Sequence, residues 1–215
     1  MWVDIHTHKS LPFGVVGFQN IDNLNMALSP EGFYSFGIHP WQINDWSCID
    51  EFDLIAESGI YEKVKAVGEC GFDNIKGDKK LQSKAFKLHI EISEGLGYPL
   101  IIHNVGANHK IWEFHKKERP LQPWILHGFM GNTTSAEMFI RMNLYCSFSL
   151  RSLKNPKTIE AFKIYPPHLT FLETDDDSAT IEEVYSLAAS ILEKDIYTLK
   201  DLYYNNFKTL FELND

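Results

Sequence analysis

Cysteine is scarce in this chain of 215 residues: Cys48, Cys70 and Cys146 are an odd number, and no two of them lie close together. That excludes a disulfide framework and a cysteine-based zinc site. No apolar run approaches the ~18 residues that cross a bilayer. The N-terminus also lacks the basic segment and apolar core of a secretory leader, so a cytoplasmic protein without a membrane anchor is expected. Basic residues are in deficit, 20 Lys and Arg against 29 Asp and Glu, for a net charge of −9. Such a surface does not attract nucleic acid, and a polyanionic substrate must be gripped locally by metal ions or a few placed cations. There is no Gly-x-Ser-x-Gly or Cys/His nucleophile motif, no internal repeat, no low-complexity segment and no linker. No obligate protein partner is evident.

What the sequence does hold is a set of eight short apolar runs, at residues 2–6, 15–18, 34–39, 64–69, 100–103, 124–127, 144–148 and 169–174. Most are near-continuous Val, Ile, Leu and Phe rather than alternating, the pattern of parallel strands covered by helices. Amphipathic stretches lie between them. Leu81, Ala85, Leu88, Ile92 and Leu96 share one helical face, which ends at Gly97 and Pro99. Ile111, Trp112 and Phe114 mark a second helix, and Met138, Phe139 and Met142 a third. Thr180 with Glu183 is a capping-box pattern opening a fourth, and a last helix is expected near residues 199–213. Strands alternating with helices over one 1–215 domain predict a (β/α)8 TIM barrel, with an open doubly wound sheet as the competing arrangement. The first βα unit is reduced, because about eight residues containing Pro12 and Gly14 separate the first two strands.

The polar residues that end these runs point one way. His6 and His8 follow the first, His39 the third, Glu69 the fourth, His103 the fifth, His127 the sixth and Asp175 the eighth. In a barrel, all of these positions fall on the face where catalytic residues collect. Taken singly, each has a plainer role: a histidine hydrogen-bonded in a core, Glu69 or Asp175 as a helix cap. Taken together, four imidazoles and two carboxylates suffice for two divalent ions sharing one carboxylate, a pair that brings the pKa of a bound water toward 7. Nitrogen and oxygen donors without thiolate suit zinc, manganese or nickel, and magnesium less well.

The motifs resemble those of the TatD-type metal-dependent hydrolases, relatives of the amidohydrolase barrels. Asp4-Ile5-His6-Thr7-His8, Gly37-Ile38-His39-Pro40-Trp41, Ala66-Val67-Gly68-Glu69-Cys70-Gly71-Phe72-Asp73, Pro99-Leu100-Ile101-Ile102-His103, Ile125-Leu126-His127-Gly128 and Leu172-Glu173-Thr174-Asp175 follow the family in order. The resemblance implies His6, His8, Glu69, His103, His127 and Asp175 as ligands of two divalent metal ions, with Glu69 bridging. It implies Asp175 as the group that orients or deprotonates water, Asp4 and Asp73 as partners that fix imidazole orientation, and His39 as a lining of the substrate pocket. The implied activity is metal-dependent DNase or phosphodiesterase chemistry on a DNA end or a small nucleotide.

Three departures accompany it. Val105 stands two residues after His103, where the family carries arginine; the segment after the first strand is short; and Asp175-Asp176-Asp177 runs directly into the Thr180 helix. Each strips the barrel mouth, and the first removes a phosphate-binding cation that Arg151, after the seventh run, is expected to replace. Hydrolysis of an amide or lactone on the same barrel, or a non-catalytic binding protein keeping the fold, are the alternative readings.

Overall fold

The computed structural model describes residues 1–21, 26, 28, 32–43 and 63–210. Eight strands, β1 (Trp2–Thr7), β2 (Val15–Asn20), β3 (Phe33–Phe36), β4 (Val64–Asp73), β5 (Leu100–Val105), β6 (Trp124–Leu126), β7 (Tyr145–Phe148) and β8 (Thr170–Leu172), are hydrogen-bonded in chain order. The last returns to the first. Thr7 bridges Asp175 just beyond β8 in parallel register, with Asp175 N–H donating to the His6 carbonyl at 3.0 Å and His8 N–H to the Asp175 carbonyl at 3.2 Å. Helices α1 (Lys79–Leu96), α2 (Asn108–Glu118), α3 (Thr133–Arg141), α4 (Leu150–Leu153), α5 (Pro156–Ile164), α6 (Ile181–Leu192) and α7 (Ile196–Leu210) are set between and after the strands. This is the (β/α)8 barrel predicted from the alternation. As expected from Pro12 and Gly14, residues 8–14 join β1 to β2 without a helix. No helix of the described residues is long and apolar enough to cross a membrane.

The chain packs as two compact units, residues 1–19 with 126–215, and residues 20–125. In the first, Val3, Ile5, Phe18, Phe148, Phe171 and Phe207 are fully or almost fully buried, and the Phe18 and Phe207 rings lie 5.8 Å apart. Tyr185 is buried among them, and its hydroxyl meets the Val3 N–H and carbonyl of β1, each at 3.3 Å. Helix α6 opens with the capping box expected of Thr180 and Glu183, which satisfies two N–H groups that the first turn would otherwise leave bare. Gly17 of β2 sits at φ +152°, and a Cβ there would lie 1.6 Å from the Asp4 carbonyl oxygen. Backbone of β1, unlike a flexible side chain, cannot step aside. Gly17→Ala is therefore expected to cost at least ~3 kcal/mol, read as a fall in the midpoint of thermal unfolding followed by circular dichroism.

In the second unit, helix α1 buries Gln82, Ala85, Phe86, His89 and Ile90. Its N-cap Asp78 accepts from Lys80 N–H and Leu81 N–H at 2.8 and 2.9 Å. Gly97 ends it in the left-handed conformation at φ 70°, which glycine adopts without a Cβ penalty. Phe72, Phe86, Phe114 and Trp124 form an aromatic cluster with ring separations of 4.8–5.6 Å. His89 is a core residue, as its helical position suggests. Its Nε2 accepts from Ile38 N–H at 2.9 Å and its Nδ1 donates to the Ala85 carbonyl at 2.7 Å. Burial pushes its pKa down to about 4, against the upward pull of the Ala85 bond.

Candidate metal centres

Each unit gathers its own set of imidazoles and carboxylates. In the first, β1 aims His6 and His8 at Asp175, with Nε2 to Oδ1 separations of 3.7 and 3.5 Å. The backbone explains how Asp175 comes to be there. It takes φ +53°, a left-handed conformation that aspartate tolerates better than most residues. Both of its peptide groups are tied to β1, and Thr7 Oγ1 adds a bond to its carbonyl at 3.2 Å. His127, just past β6, packs against His6 with ring centroids 4.5 Å apart. Its Nδ1 lies 3.7 Å from Glu173 Oε1.

Asp4 does not touch an imidazole through these bonds. Its carboxylate accepts from Thr174 N–H at 2.9 Å and Thr174 Oγ1 at 2.6 Å. Burial pushes its pKa up to about 7, against the Thr174 bonds and with the Glu173 and Asp175 charges adding to the rise. Asp4 thus holds the turn that carries Asp175.

In the second unit, Glu69 lies inside β4, not at its end, because the strand runs on to Asp73. Glycine allows this. At Gly68 and Gly71 a Cβ would come within 2.3 and 2.2 Å of the Ile101 and His103 carbonyl oxygens, so only bare backbone fits so close to β5. The approach brings Glu69 Oε1 to 2.8 Å from His103 Nδ1 and 3.3 Å from His39 Nε2. His39 Nε2 and His103 Nδ1 are 3.4 Å apart. Asp73 Oδ2 lies 3.6 Å from His103 Nε2, which places Asp73 where it can orient that ring. Burial raises the Asp73 carboxyl, but bonds from Trp41 and from the Ile75 and Lys76 N–H groups, with His103 nearby, outweigh it and leave the pKa below the ordinary value.

The donor atoms of His6, His8 and Asp175, of His127, Glu173 and Asp175, and of His39, Glu69 and His103 lie within 4.8 Å of one another in each group. Two features fit a divalent cation. The donors are imidazole nitrogen and carboxylate oxygen, the mixture that zinc, manganese and nickel prefer. Glu173 Oε1 is also buried without a hydrogen-bond partner among the described residues, an expensive state for a carboxylate oxygen unless something positive meets it.

Residues 14–212 match the family model of TatD-related DNases. The chain belongs to that family. An uncharacterized metal-dependent hydrolase of Bacillus subtilis is 27% identical over 196 residues, covering 79% of this chain and 76% of the relative. A putative deoxyribonuclease TATDN1 homologue of Enterocytozoon bieneusi is 27% identical over 180 residues, covering 78% of this chain and 64% of the relative. A solved TatD homologue from Escherichia coli has a TM-score of 0.83 at 19% identity, over 99% of this chain and 98% of its own; that likeness is one of fold. Membership makes this TatD chain a metal-dependent hydrolase with a His/Glu/Asp cluster able to bind metal.

Within the TatD chain, Val105 ends β5, so that strand offers no cation beside His103. Arg151 lies on α4, exposed, where no helix was expected. Sequence reasoning also passed over Glu173, which is wholly buried and accepts from Ser147 Oγ at 2.5 Å. A glutamate ending the apolar run Phe171-Leu172 was the available signal. Trp41, given no role by the sequence beyond its place in the His39 motif, donates its indole N–H to Asp73 Oδ2 at 2.7 Å, and no periodicity marks a single aromatic in a turn.

Proposed function

We propose that this chain cleaves phosphodiester bonds in a nucleic acid end or small nucleotide, using metal-activated water. The observation that carries the reading is the gathering of histidine and carboxylate donors at the carboxyl ends of β1, β5, β6 and β8, and within β4, in arrangements that suit divalent cations. His6, His8, His127 and Asp175 in one unit and Glu69 and His103 in the other would hold them, in keeping with the family's ligand set. A divalent cation so held supplies Lewis acidity toward a phosphoryl oxygen and makes the water it binds more acidic.

The chain's own residues supply the rest. Asp175, with its carboxylate about 30% exposed, can accept a proton from water at its Oδ atoms while His6 and His8 flank it. His39, with its Nε2 3.3 Å from Glu69 Oε1, would line the substrate pocket. Arg151 is a candidate phosphate contact after β7. The names carried by the family and by the Enterocytozoon relative favour DNA over other esters.

Chelation is the direct test. Treatment with EDTA is expected to abolish hydrolysis of single-stranded DNA, and manganese or zinc is expected to restore it. Amide and lactone panels under the same conditions should give rates at least a hundredfold lower. Faster turnover of an amide or lactone than of DNA would move the assignment to the alternative bond, and no turnover of any ester or amide with any metal would leave a binding protein.

A further inference from the structure

Two short loops of the second unit meet beside Glu69 and His103. One is the turn His39-Pro40-Trp41-Gln42, closed by Gln42 N–H donating to the His39 carbonyl at 2.9 Å. The other follows β4 through Asn74, Ile75, Lys76 and Gly77. It is tightly built. Asp73 Oδ1 accepts from Ile75 N–H and Lys76 N–H at 2.7 and 3.0 Å, and wholly buried Gln82 holds the Lys76 carbonyl at 2.7 Å. A Cβ on Gly77 would come within 2.8 Å of the Pro40 carbonyl oxygen, so the loops are in contact.

The result is a tryptophan held open. Trp41 is 47% exposed, yet its indole N–H is anchored on Asp73 Oδ2 at 2.7 Å and its ring meets His39 edge-on at 4.8 Å. The Lys76 ammonium lies 4.1 Å from the Trp41 ring centroid. Core packing does not explain a large apolar ring fixed in this way at the side of a metal-type cluster. Fixing it in advance lowers the entropy that a stacked ligand must give up.

We propose that Trp41 and Lys76 form a clamp for one nucleotide unit, which rests on the phosphodiesterase reading above. The base stacks on the indole face, and the Lys76 ammonium moves from the ring to the adjoining phosphate, exchanging a cation–π contact for a full anion. Stacking on an aromatic side chain is tolerant of base identity and worth ~1–3 kcal/mol per base. The clamp also supplies, from the loop after β4, the phosphate-binding cation that Val105 does not.

The test separates stacking from the bond to Asp73. Trp41→Phe keeps a stacking face and loses the N–H; Trp41→Ala loses both. Hydrolysis is compared on the p-nitrophenyl ester of thymidine 5′-monophosphate and on methyl p-nitrophenyl phosphate, which has no base. Taking the ratio of kcat/KM for the two esters cancels any shared loss through Asp73 and His103. That ratio is expected to fall about tenfold or more in Trp41→Ala and to stay within about twofold in Trp41→Phe. Binding to the full chain in EDTA is measured by calorimetry: Lys76→Ala should weaken thymidine 5′-monophosphate and leave thymidine unchanged. A ratio unchanged in Trp41→Ala, or lowered equally in Trp41→Phe, overturns the clamp while hydrolysis stands. If neither ester is cleaved but nucleotide binding falls in Trp41→Ala and Lys76→Ala and holds in Trp41→Phe, the clamp stands and the phosphodiesterase reading fails.

Discussion

Glu69→Gln is expected to lower kcat/KM for a phosphodiester by a thousandfold or more, with Tm moved by no more than a few degrees. The amide keeps the shape of the side chain and still offers an oxygen to His103 Nδ1, 2.8 Å away in the wild type. What it withdraws is the negative charge of a nearly buried carboxylate set between His39 and His103. Charge stabilisation by a bound cation is worth several kcal/mol in the transition state, and ~4 kcal/mol is a thousandfold in rate. The same variant should retain less metal after dialysis, which elemental analysis reads directly. Wild-type activity with wild-type metal content would remove Glu69 from the site. Lost activity with a collapsed Tm would show instead that the carboxylate serves the fold.

The second large effect concerns stability. His89 is buried with both ring nitrogens in hydrogen bonds, and its pKa falls from 6.5 to about 4. In the unfolded chain the imidazole takes up a proton near its ordinary value; in the folded chain it stays neutral until about pH 4. Between those limits the unfolded state binds more protons, so stability is fully present above pH 6.5 and is lost as pH falls toward 4. The loss from this residue is about 3 kcal/mol, at 1.36 kcal/mol per unit. His89→Gln can still bond Ile38 and Ala85 in part but cannot titrate. It should be less stable than wild type at neutral pH by ~1–2 kcal/mol, yet lose about 2–3 kcal/mol less between pH 7 and pH 4.5 in urea unfolding. Parallel pH profiles for the two proteins would show that His89 is not held neutral.

Much of this was legible before any coordinates. Near-continuous apolar runs ending in His, Glu or Asp gave the strand count, the barrel and most residues of the clusters, because a strand's carboxyl end is a fixed address in this architecture; Glu173 was passed over, and Glu69 proved to lie inside its strand. The Thr180 helix was readable because its cap is local chemistry. Other features were set by neighbours distant in sequence. The extension of β4 to Asp73 depends on bare backbone at Gly68 and Gly71 facing β5, which no window along the chain reveals. Helices α4 and α5 are only four and nine residues long, too short for a clear apolar period, although Asn155 followed by Pro156 was a usable start signal. Asp4 illustrates a different limit. The family resemblance implies that it fixes an imidazole, and no pattern along the chain shows that it also holds Thr174, 170 positions away.

That separation has a cost during synthesis. Val3 and Ile5 of β1 are wholly covered in the finished protein, and Thr174 and Asp175 follow them only after some 170 further residues. At ~5–20 residues per second that is a wait on the order of ten seconds or more. β1 therefore waits for the turn beyond β8 that pairs with it, which makes this strand a natural handle for chaperones and a place at which a stalled nascent chain would associate with its neighbours.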